Sequence, residues 1–252
     1  MNSGQMWRRL LRSSLVATVL AGSLCAQNQS AISKGLEAEI GRALSASTGC
    51  KKVTVRVLFK SPKSSDIERL SVKMEVVPIG QLAADHLTIV CDNPVIDRNK
   101  LQKEKELVFV SQGKTRVSIF ASAGALEQYL QKKAGQFDKK NVHINLKFTP
   151  PYVECTYDVP KSEIASESVE LLKKFIKGDK IEGYAAFQLG TKNNDLYAYS
   201  SKVITNHFLL PNALLGVFQS KFNPFDRIEE VKPFRYTINN LTVQAKYIYL
   251  SN

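Results

Sequence analysis

Residues 116–130, RVSIFASAGALEQYL, contain the sharpest change of hydrophobic period in the chain. Apolar residues recur first at every second position and then at helical spacing: Val117, Ile119 and Ala121, followed by Leu126, Tyr129 and Leu130. A period of two indicates a strand with one buried face, whereas spacings of three and four indicate a helix. Ser122 lies where the period changes, and serine is a favoured N-cap residue. The segment therefore predicts a strand that continues directly into a helix.

The same two patterns predict the other elements. Helical spacing indicates three further helices: Ser30–Thr48, Ser162–Gly178 and a short helix that begins at Pro211. Alternation indicates strands at Val53–Phe59, Leu70–Val76, Leu87–Cys91, Leu107–Val110, Val142–Phe148, Tyr152–Val159, Ile181–Leu189, Leu196–His207, Phe234–Ile238 and Leu241–Leu250. The polar segment Asp97–Glu106 separates two of these strands. We predict one α+β domain in which a meander of antiparallel strands is covered by three or four helices.

The N-terminal residues have the pattern of a secretory signal. Three basic residues precede a short apolar run: Arg8, Arg9 and Arg12, then Leu15–Cys25. A bilayer-spanning helix needs about 20 apolar residues, so this run is short for an anchor. We expect residues 1–26 to be a signal peptide cleaved after Ala26, and residues 27–252 to be exported to the periplasm or cell envelope. A retained anchor is one alternative, and lipidation at Cys25 is another, which Leu24 disfavours because a small residue is required there.

The chain is basic. Of its 252 residues, 44% are hydrophobic and 23% charged, an ordinary globular composition. Lys and Arg number 35 against 23 Asp and Glu, a net charge of +12; without the three arginines of the leader the balance is 32 against 23, or +9. A positive charge favours acidic partners such as anionic lipid head groups or acidic polysaccharide. Because the protein is expected to be exported, we predict no nucleic-acid partner.

No motif for covalent, metal or cofactor chemistry occurs in the sequence. The patterns G-x-S-x-G, G-x-G-x-x-G, H-E-x-x-H and C-x-x-C are absent. Ser111 and Lys114 match S-x-x-K, but they lie in a predicted turn, where no helix places both side chains on one face. We predict a protein without catalytic residues, metal or cofactor. The rival interpretation is an enzyme in which two of His86, His143 and His207 approach an acid in one cleft.

Three cysteines remain once the leader is removed: Cys50, Cys91 and Cys155. Their odd number and wide spacing fit either one disulfide with one free thiol, or three buried thiols that act as small hydrophobic residues. We favour the second interpretation.

Residues 208–225, FLLPNALLGVFQSKFNPF, carry more apolar side chains than one helical stripe can bury. Leu214, Phe218 and Phe222 recur at four-residue spacing and share one face. The segment either covers a wide sheet or contacts lipid.

Several segments together resemble the LmeA-like phospholipid-binding protein family of bacterial envelopes: RVSIFASAGALEQYL, the hairpin NVHINLKFTPPYVECTYDV, IEGYAAFQL, and LLPNALLGVFQSKFNPF followed by two strands. The leader and the first helix fit the same order. The resemblance covers most of the chain after the leader and is clearest from Arg116 onward. This family resembles tubular lipid-binding proteins, in which a long curved antiparallel sheet wraps helices and leaves an apolar groove for acyl chains. The resemblance implies that fold and that ligand for this chain.

On this basis we expect the protein to bind phospholipid or a similar amphiphile, for lipid transport or envelope maintenance, with transient membrane contact. The expected lining of the groove is Val117, Ile119, Leu126, Tyr129, Leu130, Phe187, Leu214, Leu215, Phe218 and Phe222. The expected contacts to an anionic head group are Lys132, Lys133 and Lys221. Taken one by one, these apolar residues are better explained as ordinary core than as ligand contacts.

The alternative function is a non-catalytic module that binds acidic cell-envelope polysaccharide through tyrosines on the sheet faces: Tyr152, Tyr157, Tyr197 and Tyr199. The direction of these side chains distinguishes the two functions. An exposed row of tyrosines favours sugar, whereas tyrosines that face the helices favour a core or lipid.

Overall fold

The computed structural model describes residues 31–61, 64–136, 143–160, 178–205, 208–209 and 227–252. Three helices lie within them: α1 (residues 31–48), α2 (Arg98–Lys103) and α3 (Ala123–Gln136). The strands are β1 (Lys52–Phe59), β2 (Ile67–Ile79), β3 (Leu82–Asp92), β4 (Val95–Ile96), β5 (Phe109–Ser111), β6 (Lys114–Ser122), β7 (His143–Thr149), β8 (Tyr152–Pro160), β9 (Lys180–Lys192), β10 (Asp195–Thr205), β11 (Phe208–Leu209), β12 (Asn240–Val243) and β13 (Tyr247–Ser251). Their pairings are antiparallel, which confirms the predicted α+β class with antiparallel sheet. The predicted helices at 162–178 and after Pro211 lie outside the described residues.

The first sheet has six strands in the order β1-β2-β3-β6-β13-β12. β1, β2, β3 and β6 form the predicted meander, interrupted by an insertion that contains the small hairpin β4–β5 and α2. One face of the sheet is apolar and buried, with side chains that include Val57, Leu70, Val72, Ile89, Val117, Ile119, Ile248 and Leu250. The alternation in the sequence therefore reflects a single face packed against the interior.

The second sheet has five strands in the order β11-β10-β9-β8-β7. Its buried face carries Leu146, Phe148, Val153, Cys155, Phe187 and Leu189. We expected one long sheet, whereas the described strands form two main sheets and the separate β4–β5 hairpin. The chain passes from β6 directly into α3, so β7 starts a new sheet instead of pairing with β6.

α3 lies between the two sheets. It contacts β3 and β6 of the first sheet and β7 of the second, and β12 contacts β9 directly. The helix begins as predicted, because the Ala125 N–H donates to Ser122 Oγ at 3.3 Å. Leu126 is fully buried, and one continuous core contains side chains from both sheets, α1 and α3. The interior of the protein is therefore organised around the strand-to-helix segment.

Each sheet has an edge strand that is capped by a glutamate of the preceding helix. Glu37 of α1 accepts a hydrogen bond from the Val57 N–H of β1 at 2.8 Å, and Ser33 Oγ donates to the Val57 carbonyl at 3.1 Å. Glu127 of α3 accepts from the Leu146 N–H of β7 at 2.6 Å. Unpaired edge groups invite association with other chains, and both contacts satisfy such groups. A helix followed by a meander thus occurs twice, although the sequence contains no evident repeat.

Val76 departs from the predicted strand pattern. The buried alternation of β2 shifts by one residue there, and Val76 has φ of +52° and is 71% exposed. Val77 occupies the buried position that was expected for Val76. Val76 and Val77 are adjacent and equally apolar, so the alternation in the sequence does not show at which of them the buried face shifts by one residue.

The helix α2 was missed by the sequence analysis, which treated 97–106 only as a polar separation. Asp97 caps the helix by accepting a hydrogen bond from the Lys100 N–H at 3.0 Å. Leu101 is its buried residue. Six residues with one buried position give no detectable period.

The sequence predicted a strand at Phe234–Ile238. This segment is extended, but it belongs to none of the strands β1 to β13. Its buried and exposed residues do alternate. The hydrogen-bonding groups are satisfied by side chains instead of a neighbouring strand: Gln112 Oε1 accepts from the Arg235 N–H at 2.9 Å, and Gln112 Nε2 donates to the Arg235 carbonyl at 2.9 Å. The predicted strand at 241–250 is also corrected, because it forms the hairpin β12–β13.

Asn194 attaches the same segment to the second sheet. Asn193 and Asn194 form the two-residue turn between β9 and β10, with φ of +52° and +71°, a conformation that asparagine tolerates well. Asn194 is 2% exposed, and its side chain accepts from the Ile238 N–H and donates to the Tyr236 carbonyl at 3.2 Å. Its backbone also exchanges hydrogen bonds with Ile238 and Ile228. One side chain therefore fixes residues 228–238 against the hairpin.

Among the described helices, none combines the length and the apolar character needed to span a membrane.

Candidate functional site

The described members of the predicted groove lining belong to one continuous core. Their exposed fractions lie between 0% and 8%: Val117 and Ile119 of β6, Leu126, Tyr129 and Leu130 of α3, and Phe187 of β9. α3 thus brings together residues of both sheets. The remaining predicted residues lie outside the described part of the chain: Leu214, Leu215, Phe218, Phe222 and the head-group candidate Lys221.

Leu126 and Tyr129 also line a small cleft of about 30 Å³. Its other walls come from the β2–β3 turn, from β10 and from the chain after residue 226: Ile79, Gly80, Gln81, Leu82, Leu196, Arg227, Ile228 and Glu229. A water molecule needs a cavity volume of about 10–15 Å³, so the cleft has room for about two water molecules. This cleft is the point at which α3 and parts of both sheets meet near the surface.

Gln81, one of the residues that line the cleft, carries a buried polar atom without a partner in the described part of the chain. Its Oε1 is buried and has no hydrogen-bond partner among the residues that the structure describes. A buried acceptor without a partner costs about 1–3 kcal/mol. A ligand that donates a hydrogen bond to this atom would recover part of that free energy.

Gly80, beside Gln81, lies close to the Glu229 side chain. It has φ of +59°, and a Cβ atom at this position would lie 3.0 Å from Glu229 Oε1. The backbone conformation and this close approach both favour glycine at this position.

One cation, Arg227, lines the cleft, and two lysines of α3 follow its lining residue Tyr129 in the sequence. Lys132 and Lys133 follow Tyr129 by about one helical turn, a rise of about 5 Å along the axis. Lys132 is exposed and Lys133 is half-buried. Arg227 is exposed and lines the cleft itself, with Glu229 on the same wall. The lining itself therefore carries one positive and one negative charge.

Eight of the residues that line the cleft were absent from the predicted site: Ile79, Gly80, Gln81, Leu82, Leu196, Arg227, Ile228 and Glu229. Leu196 and Ile228 are each 5% exposed and complete its apolar wall. No local pattern connects the β2–β3 turn with α3 or β10, because the contacts are made only in the folded chain. One signal was present, since Arg227 follows closely on the apolar segment 208–225.

A second, more open cleft of about 390 Å³ lies at one end of the second sheet. Its lining is mainly polar and comprises Gln131, His143, Ile144, Asn145, Thr156, Tyr157, Asp158, Glu182 and Gly183. Asp158 Oδ2 accepts from Lys180 Nζ at 2.9 Å, which places an ion pair at its rim.

The tyrosines of the alternative hypothesis lie on opposite faces of the second sheet. The pairing register places Tyr197 and Tyr199 on the outer face, and Tyr152 shares that face. The Tyr157 side chain points to the inner face of the sheet and packs against the core. Its ring lies over Gly183, where a Cβ atom would be 2.2 Å from the ring. Three of the four side chains therefore point away from α3 and one points towards it.

The cysteines of the described residues are free and buried, which confirms the second cysteine interpretation. Burial raises the pKa of the Cys155 thiol to about 11, and the nearby charge of Glu127 acts in the same direction. The thiol is therefore protonated at neutral pH and is a poor nucleophile.

Residues 228–236 contain a second buried titratable group. The Tyr236 hydroxyl accepts from the Val231 N–H at 3.1 Å and donates to the Glu229 carbonyl at 3.1 Å. Burial raises the pKa of Tyr236 to about 12, with Glu230 adding to the rise and the Val231 hydrogen bond opposing it. A neutral phenol thus holds together the chain that forms one wall of the cleft.

His86 and His143 are exposed and belong to different sheets, and His207 lies outside the described residues. Within the ranges that the structure describes, no group of three side chains is arranged to hold a metal ion. No family model, curated protein or solved structure matches the chain.

Proposed function

We propose that this protein binds a phospholipid or similar amphiphile at the cleft between α3, the β2–β3 turn and residues 227–229. The observation that carries the proposal is the meeting of the apolar faces of both sheets with α3 at this cleft, where Leu126, Tyr129, Leu196 and Ile228 form the walls. The proposal is for binding by burial, with no bond made or broken. It includes export to the cell envelope and transient contact with membranes.

The position of the apolar segment 208–225 supports this proposal. The chain enters the segment at β11, the edge of the second sheet, where Leu209 is 57% exposed. It leaves the segment just before Arg227, which lines the cleft. The described residues on either side of this apolar stretch therefore belong to the second sheet and to the cleft. The resemblance to LmeA-like proteins rests partly on this same segment.

The polar groups favour a particular kind of head group. Lys132, Lys133 and Arg227 supply positive charge for a phosphate. Gln81 Oε1 requires a hydrogen-bond donor. An anionic phospholipid with hydroxyl groups, such as phosphatidylglycerol, meets both requirements, whereas phosphatidylcholine has neither net charge nor a donor.

The cleft is too small to accept an acyl chain without a change in its walls. An acyl chain does not fit into about 30 Å³, so the walls must separate. Burial of one methylene contributes about 0.8 kcal/mol, so ten methylenes contribute about 8 kcal/mol before the ordering of the lipid is subtracted. That gain is large enough to offset the loss of a few apolar contacts between Ile228 and α3.

Thermal melting of delipidated protein tests the proposal. We expect phosphatidylglycerol vesicles to raise the melting temperature more than phosphatidylcholine vesicles do, because ligand that binds only the native state stabilises it. The Gln81→Met variant keeps the side-chain volume and removes the unpaired oxygen. It should melt at the same temperature as wild type or higher without lipid, and should gain less from phosphatidylglycerol.

Leu36→Ala is the matched control. Leu36 is 4% exposed in α1 and does not line the cleft, so its truncation should cost about 2–5 kcal/mol. Its lipid-induced shift should equal that of wild type. Equal shifts for Gln81→Met and wild type would remove the cleft from the lipid site, and no shift with either lipid would refute the proposed function.

A further inference from the structure

The outer face of the second sheet carries an exposed row of side chains. β8 and β9 pair Val153 with Phe187, and β9 and β10 pair Gln188 with Tyr199. The register, carried one residue further, places Tyr152 beside Gln188. Tyr152, Gln188 and Tyr199 therefore form one cross-strand row. This row faces away from α3 and is separate from the cleft of the proposed function.

The two aromatic ends of this row are open to solvent. Tyr199 is 56% exposed and Tyr152 is 37% exposed. Neighbouring strands are about 4.8 Å apart, so these residues, two strands apart, lie about 10 Å from each other. That span is about twice the length of one sugar unit, so it matches two neighbouring units of a sugar chain.

Tyr197 adds a third ring on the same face. It is half-buried and pairs with Gly190, whose added Cβ atom would lie 2.2 Å from its Cε2. The ring thus occupies the space above Gly190. The centroids of Tyr197 and Tyr199 are 5.0 Å apart, and their planes meet at 71°. One ring therefore stands nearly perpendicular to the other and forms a step on the sheet surface.

The chemistry of this step selects among ligands. Aromatic faces carry partial negative charge and attract the C–H groups of a sugar ring, while the Gln188 amide donates to and accepts from hydroxyl groups. The adjacent row contains Lys147, Glu154 and Lys202, two cations and one anion. Nucleic acid requires a larger cluster of cations than this, and the exposed amide disfavours an acyl chain.

We propose that the outer face of the second sheet binds a polysaccharide chain along Tyr152, Gln188 and Tyr199, with Tyr197 as the supporting ring. Tyr157 takes no part, because it lies on the inner face. The surface would hold the exported protein on an envelope polysaccharide while the opposite side of the sheet remains in contact with the interior.

Retention of the full-length purified protein on insoluble polysaccharides tests this inference. The probes are a β-1,4-glucan, chitin and cross-linked pectate, the last being acidic. We expect retention on at least one of them, and a loss of about fivefold or more in affinity for Tyr199→Ala, the size expected for one aromatic contact. Gly190→Ala keeps every aromatic and polar group but displaces the Tyr197 ring, so it should also weaken retention.

Tyr247→Ala is the matched control. Tyr247 packs against Phe120, with ring centroids 5.2 Å apart, on the outer face of the other sheet. Its variant should retain the affinity of wild type. Retention on none of the three probes would overturn the inference, as would an equal loss for Tyr247→Ala and Tyr199→Ala. Unchanged retention of Gly190→Ala would overturn the part assigned to Tyr197. Lipid-induced melting shifts should be unchanged in Tyr199→Ala, so failure here is distinguishable from failure of the proposed function.

Discussion

The Asn194 side chain provides the sharpest test of how the cleft wall is held in place. Asn193→Gly and Asn194→Gly make the same change at adjacent turn positions, both with positive φ. Glycine accepts either conformation, so the backbone cost of the two substitutions is similar. Asn194→Gly also removes the acceptor of the buried Ile238 N–H and the donor to the buried Tyr236 carbonyl. The difference between the variants therefore isolates two buried hydrogen bonds.

The expected loss of free energy of unfolding follows from these two hydrogen bonds. A buried group left without its partner costs about 1–3 kcal/mol, and water entering the vacated space reduces that cost. We expect Asn194→Gly to lose about 2–5 kcal/mol more free energy of unfolding than Asn193→Gly, which should lie within about 1 kcal/mol of wild type. Urea denaturation followed by circular dichroism measures both values. A difference below about 0.5 kcal/mol would refute the conclusion that this side chain fixes residues 228–238.

Two further predictions concern single carboxylates. Glu127→Ala should lower the free energy of unfolding by about 1–3 kcal/mol in urea denaturation, because the Leu146 N–H loses a charged acceptor; an unchanged midpoint would contradict the edge-capping role. The hydrogen bond from Arg69, and then the charge of Arg116, lower the pKa of Asp92 in the folded protein. The ionised Asp92 carboxylate therefore stabilises the fold above the unfolded-state pKa. This stabilisation is lost as the pH falls through the lower folded-state pKa. Unfolding midpoints measured from pH 6 downward should therefore fall less for Asp92→Asn than for wild type, and parallel curves would contradict this account.

The sequence predicted most strands because their burial is one-sided. The alternation of Val117, Ile119 and Ala121, and the helical spacing after Ser122, describe contacts that repeat along a single element. The core beneath them could therefore be anticipated. The prediction was wrong for Phe234–Ile238, where burial does alternate but the backbone bonds to side chains such as Gln112 and Asn194. Burial periodicity records which face is covered, and it carries no information about the hydrogen-bond partner.

The site was less predictable than the fold. Leu126 and Tyr129 were anticipated from the helix face, whereas Gln81 and Ile228 reach the same cleft from distant parts of the chain. Their positions depend on tertiary contacts such as that between Gly80 and Glu229. The faces of the tyrosines likewise depend on strand register, since a shift of one residue reverses every side chain.

Native mass spectrometry of the purified protein tests the proposed phospholipid binding most directly. The account predicts a species whose mass equals the processed chain plus one phospholipid, with anionic lipid recovered on organic extraction and lost from the spectrum after delipidation. A bare polypeptide mass under conditions that preserve the folded protein, with no lipid in the extract, would contradict it.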